Sequence, residues 1–192
     1  MSTRPQEMGI RVTRENTVLV VVDVQERLIP AMDPQVYGAV LKSIRLLGEA
    51  AEIFKVPVIV TEQYPAGLGP TVPELVGFAG GAAIEKVTFS CGGEEGFLQA
   101  LQALGARQIL LTGMEAHVCV LQTLLDLLDR GYRVHLVRDA ICSRNRGDYR
   151  AALDLAARAG AWITTAEIAL FQMLGRAGTP EFKAVSALVK NR

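Results

Sequence analysis

Short aliphatic runs alternate with longer helical stripes along this chain. Val18 to Val22 is an unbroken, β-branched-rich run, the pattern of a strand covered on both faces. Asp33-Pro34 then reads as the cap and first residue of a helix. Its apolar positions Val36, Val40, Ile44, Leu47, Ala51 and Phe54 hold one stripe. Pro57 ends that segment, and Val58 to Val60 begins the next strand. Residues 64–81 are rich in Gly and Pro and lack strong periodicity; they lie where a loop covering a ligand would sit.

Residues 83–87 read as a short strand, and 94–104 as a helix stopped by Gly105. Gln108 to Leu111 is a strand. Val118, Leu121, Leu124, Leu125 and Leu128 make the stripe of the following helix, which stops at Gly131. Arg133 to Val137 is a strand, 148–159 a helix and Trp162-Ile163 a last short strand. Thr164-Thr165-Ala166-Glu167 has capping-box spacing, with Thr164 as cap, and opens a helix to Leu174; a terminal helix starts at Pro180. Such β-α alternation predicts a three-layer α/β/α fold on a doubly wound, mostly parallel, Rossmann-like sheet of about six strands. No repeat or linker divides the chain, so residues 1–192 are expected to form one domain, with a core over 16–176 and a C-terminal helix over 180–190.

Composition narrows the functional classes. The 20 basic residues cancel the 20 acidic ones. With no basic patch, nothing points to nucleic acid or to an anionic membrane. The apolar runs are strand-length, and Met1 to Gln6 is polar with no apolar run behind it, so neither membrane insertion nor secretion is expected. Three cysteines without a C-x-x-C pair argue against a disulfide framework or zinc site and for a reducing cytoplasm. Half the residues are hydrophobic and the mean hydropathy is +0.26, which leaves apolar surface for a second subunit. The leucines after Val118 occupy more than one helix face, in keeping with a homo-oligomer.

The candidate chemistry lies at strand ends, where ligands bind in such sheets. Asp23 follows the first strand, Lys86 lies near the third and Cys119 beyond the fourth. Singly, each has a plain reading: a turn acid, a solvated lysine, a small buried hydrophobe. Together they supply an acid–base group, a cation and a nucleophile at one sheet edge, which nucleophilic acyl transfer requires. Cys119 is expected at a helix N-terminus, where unpaired N–H groups and the helix dipole favour thiolate over thiol.

With these residues in place, the chain resembles the isochorismatase-like hydrolase superfamily, to which nicotinamidase and N-carbamoylsarcosine amidohydrolase belong. The likeness spans Asn16 to Lys190 and rests on Val21-Val22-Asp23-Val24-Gln25, on Glu85-Lys86-Val87-Thr88-Phe89-Ser90 and on the stretch from Gly113 to Val120. The chain is most similar to the isochorismatase domain-containing branch, through Thr61-Glu62-Gln63 and the tail from Thr165 to Lys183. The resemblance implies an Asp23–Lys86–Cys119 triad and a cis peptide at Met114–Glu115. The Glu115 and Cys119 amides would then hold an oxyanion. Asp23 would take the Cys119 proton, the thiolate would attack a carbonyl carbon, and a thioester would form and hydrolyse.

Gln25, Gln63, Tyr64 and Phe89 are candidate contacts to a small-molecule substrate, with backbone satisfaction and core packing equally open for Gln25 and Phe89. The chain departs from nicotinamidases in having no histidine over 61–72, so no metal or other cofactor is expected there. Isochorismatase proper lacks the cysteine, which disfavours vinyl-ether cleavage. A C–N amide-type bond remains. Three other readings stand beside it: a Cys119–His117 dyad; a thiol redox sensor, or a binding protein on the same scaffold, with Cys91 or Cys142 as resolving thiol; and nucleotide binding at Gly92 to Gly96. Residues two apart on a helix do not face each other, and that Gly-rich stretch carries two acids where phosphate would sit.

Overall fold

The structure, a computed structural model, describes residues 10–192; the opening Met1 to Gln6 lies outside the described residues. Six strands form one sheet: β1 (Thr17–Val22), β2 (Val58–Gln63), β3 (Ile84–Lys86), β4 (Gln108–Met114), β5 (Arg133–Cys142) and β6 (Trp162–Thr164). Their order is β3-β2-β1-β4-β5-β6, and each pairing is parallel. Crossover helices cover both faces, as parallel connection demands. Alternate residues of β1 divide between two cores. Leu19 and Val21 face α1 (Pro34–Phe54), α7 (Ala166–Leu174) and α8 (Pro180–Lys190). Val18, Val20 and Val22 face α4 (Glu95–Ala103), α5 (Leu121–Asp129) and α6 (Arg146–Arg158). β1 is buried throughout, which explains its unbroken apolar run.

Several local expectations shift. Asp33 caps α1, accepting from the Gln35 and Val36 amides, but Val36 itself is exposed and stands outside the buried stripe. Residues 64–81 are partly ordered into short helices, α2 (Pro65–Leu68) and α3 (Pro73–Val76), and a 3-10 turn, Gly77–Ala79. β5 runs on to Cys142, past the polar Arg138 and Asp139. The cap of α7 is Thr165, whose hydroxyl accepts from the Ile168 amide, one residue later than the sequence pattern places it. Before α5 comes a π-helical turn, Ala116–Val120. In α5, Thr123, Leu124 and Leu127 are buried while Leu125 is exposed.

The strand order reverses between β1 and β4, which opens a crevice at their carboxyl ends. Two backbone features shape it. Gly113, with φ of 110°, stands opposite Val22 in the β1–β4 register, and a Cβ there would lie 2.0 Å from the Val22 carbonyl oxygen. Only glycine permits so close an approach. Asp23 then takes a left-handed φ of 51°, turning the chain as β1 ends.

Candidate active site

The crevice brings together Asp23, Lys86 and Cys119, from three separate strand ends. Lys86 Nζ lies 2.7 Å from Asp23 Oδ2, and both side chains have no solvent exposure. The ammonium also donates to Gln63 Oε1 at 2.6 Å, the Phe89 carbonyl at 2.9 Å and the Thr88 carbonyl at 3.1 Å. Its three hydrogens are matched by those three oxygens, so the Asp23 contact is a charge contact beside a fixed cation. Asp23 Oδ1 accepts from the Thr61 hydroxyl at 2.7 Å, while Oδ2 has no aligned hydrogen-bond donor among the described residues. A buried carboxylate oxygen so placed, beside the ammonium and without a donor of its own, is open to a proton.

Cys119 follows β4 on the π-helical turn and retains 7% exposure. Its sulfur is 4.0 Å from Gln63 Oε1. Burial pushes the thiol up to about 12; the neighbouring Asp23 charge adds to the rise, and Lys86 opposes it. Desolvation and the adjacent anion favour the thiol, against the thiolate expected for a helix N-terminus. The group rests as a thiol beside a buried carboxylate.

Cys91, fully buried on the 3-10 turn Cys91–Gly93, stands 3.7 Å from the Thr61 hydroxyl, and its amide donates to Thr123 Oγ1 at 2.9 Å. Burial raises this thiol to about 11. Neither sulfur has the lowered pKa that marks a peroxide-sensitive thiol.

The remaining candidates divide. Gln25 is completely buried; its Nε2 donates to the Gln63 and Gly69 carbonyls, and its Oε1 accepts from the Gln63 amide. It braces the segment after β2 and has no donor left for a ligand. Gln63 lies inside the cluster, its Nε2 donating to the Val87 carbonyl at 2.8 Å. Tyr64 and Phe89 are more than half exposed and stand at the rim. The Glu115 carboxylate accepts from the Arg144 amide at 2.9 Å and meets its guanidinium at 3.1 Å. The Met114–Glu115 peptide is cis. His117 turns away to Ser143, 2.9 Å from its Nδ1, which separates it from the sulfur two residues on. Among the described residues no group of three or more His, Cys, Asp or Glu is placed to hold a metal ion, and no helix is long and apolar enough to cross a membrane.

Thr61 is the member of this cluster to which sequence reasoning gave no role, and Cys91 entered it only as a resolving thiol in the redox reading. Thr61 had one signal: it closes an apolar run on a strand neighbouring the one that ends in Asp23, so its side chain falls beside that carboxylate.

Comparison with known proteins places the chain. The isochorismatase domain model matches residues 17–168. The chain is 40% identical over 187 residues to isochorismatase domain-containing protein 2 of Homo sapiens, covering 94% of this chain and 86% of that one. It is 40% identical over 174 residues to isochorismatase domain-containing protein 1 of Salmo salar, where it spans 61% of the relative's length. Among solved structures, the MAR1 ribonuclease of Caenorhabditis elegans superposes with a TM-score of 0.86 at 37% identity, covering 94% of this chain and 92% of that one. The YcaC gene product of Escherichia coli, an octameric hydrolase of unknown specificity, gives 0.83 at 25% identity, covering 97% and 92%. By domain match and by relatives aligned over most of its length, the chain belongs to the isochorismatase domain family.

Proposed function

We propose that this chain is a cysteine hydrolase that cleaves a C–N amide-type bond of a small molecule through Asp23, Lys86 and Cys119. The observation that carries the reading is the convergence of a buried carboxylate, a buried ammonium and a nearly buried thiol at the sheet's switch point. Asp23 accepts the thiol proton as sulfur attacks the substrate carbonyl, so charge appears on sulfur only as the new bond forms. Lys86 lies against that carboxylate at 2.7 Å. The oxyanion faces the Glu115 and Cys119 amides. Asp23 returns its proton to the departing amine, leaving a thioester. Water loses a proton to Asp23, attacks the thioester, and the expelled sulfur recovers that proton. Tyr64 and Phe89 form the substrate rim, with Gln63 between the cation and the sulfur.

Two features of the relatives bear on this. The nuclease name of the Caenorhabditis elegans neighbour finds no support in this chain's charge, where 20 basic residues meet 20 acidic ones. The octameric Escherichia coli neighbour supports a homo-oligomer, as do the exposed Trp162, Ile163, Ile168 and Phe171 around β6 and α7.

The test is a hydrolysis screen over small amides, carbamoyl compounds and thioesters. Cys119→Ala is expected to abolish turnover with an unchanged thermal midpoint, and Cys119→Ser to trap no thioester by intact mass. Undiminished turnover in Cys119→Ala overturns the proposal.

A further inference from the structure

We infer that Thr61 is a positioning residue for the Asp23 base, with Cys91 holding the Thr61 hydroxyl in its working orientation. The inference rests on the proposed role of Asp23. Thr61 grips that residue twice. In the β1–β2 register Thr61 stands opposite Val22, and its carbonyl accepts the Asp23 amide at 3.2 Å. Its hydroxyl donates to Asp23 Oδ1 at 2.7 Å, and the Thr61 side chain has no exposure. A hydroxyl has one hydrogen. Once it is given to Asp23, the contact with Cys91 must run the other way, from S–H to Thr61 Oγ1 at 3.7 Å. Cys91 can serve as that donor because its amide is anchored on Thr123 and its buried thiol keeps its proton.

Three groups therefore face Asp23: Lys86 from β3, Thr61 from β2 and Cys119 from the π-helical turn; Cys91 stands behind Thr61. Thr61 fixes Oδ1, which leaves Oδ2 as the free oxygen beside the ammonium. A donor to a carboxylate favours its ionised form. Losing the hydroxyl leaves Oδ1 without its donor and frees the carboxylate to rotate.

The test needs no known substrate. Iodoacetamide alkylates Cys119: a C–S bond forms, iodide leaves, and the thiol proton passes to Asp23. Its rate is followed against pH by intact mass and peptide mapping, with Cys119→Ser as the blank. In the wild-type chain the rate rises through an acid limb set by the base, and in Asp23→Asn that limb disappears. Thr61→Val is expected to move the limb up by about one pH unit, so that alkylation below it slows about tenfold. Thr61→Ser, which keeps the hydroxyl, restores the wild-type limb. If Thr61→Val does not fold, Thr61→Ala against Thr61→Ser carries the same comparison. An unmoved limb in a hydroxyl-free variant, with Asp23→Asn still abolishing it, overturns the positioning role and leaves the base in place, even if the thermal midpoint falls. A limb that survives Asp23→Asn overturns both.

Discussion

The sheet buries titratable side chains in two settings of opposite character. At the carboxyl end, Lys86 and Asp23 meet at 2.7 Å without solvent exposure, and Thr61 and Gln63 supply the surrounding hydrogen bonds. Near the start of β5, His135 is equally buried between Leu110 and Trp162 on the neighbouring strands. Its Nε2 finds no hydrogen-bond partner among the described residues. Burial, and then the charge of Arg133, lower this imidazole to about 4, so it sits as a neutral packed ring. The contrast shows what low dielectric permits. A charge survives burial where an opposite charge and fixed dipoles meet it, and elsewhere the group gives up its charge.

Breaking the paired cluster should have the largest consequence. Lys86→Met leaves the Asp23 carboxylate buried without its cation, which is expected to lower unfolding free energy by about 3–5 kcal/mol. Urea denaturation of the two proteins at neutral pH measures it. A loss below 1 kcal/mol on the scale of exposed pairs would mean the contact is not a buried ion pair.

The unpaired histidine should show itself in acid. Its folded-state pKa is about 4, against 6.5 for the unperturbed side chain. Between those values the unfolded chain holds the proton and the folded one does not. Stability from this group is therefore complete above pH 6.5 and declines as pH falls toward 4, by about 3 kcal/mol in all. His135→Leu removes this contribution. The difference between wild-type and variant stability should change over that window and stay level above it; a constant difference would refute the assignment.

An exposed site far from both clusters sets the lower end of the scale. Asp33→Ala removes the acceptor for the Gln35 and Val36 amides at the start of α1. The expected loss is about 1 kcal/mol by thermal denaturation, with cysteine alkylation unchanged.

Most of the frame was legible because it follows from local rules. The β-branched run at 18–22, the Asp33-Pro34 start and the Gly105 stop each report a backbone preference that neighbouring residues alone decide. Where two local options were equal, sequence could not choose. Thr164 and Thr165 both offer a capping hydroxyl, and only Thr165 has its side chain on the Ile168 amide. Leu125 shares an apolar stripe with Leu121, Leu124 and Leu128 in sequence, yet it stands exposed while Leu124 and Leu127 pack inside, because the neighbouring elements and not the periodicity choose which edge of the stripe is covered. Gln25, in a motif that resembles a site residue, turned out to brace backbone carbonyls.

Sequence by itself determined the alternation of strands and helices and which residues with reactive side chains stand at strand ends, since periodicity and chain direction are properties of neighbours along the chain. Tertiary structure decided how those side chains meet. It set Thr61 against Asp23, Cys91 behind Thr61, and Cys119 in a dry setting that keeps its proton. The physical reason is that desolvation and Coulomb energy depend on distances between segments far apart in sequence, which no local pattern encodes.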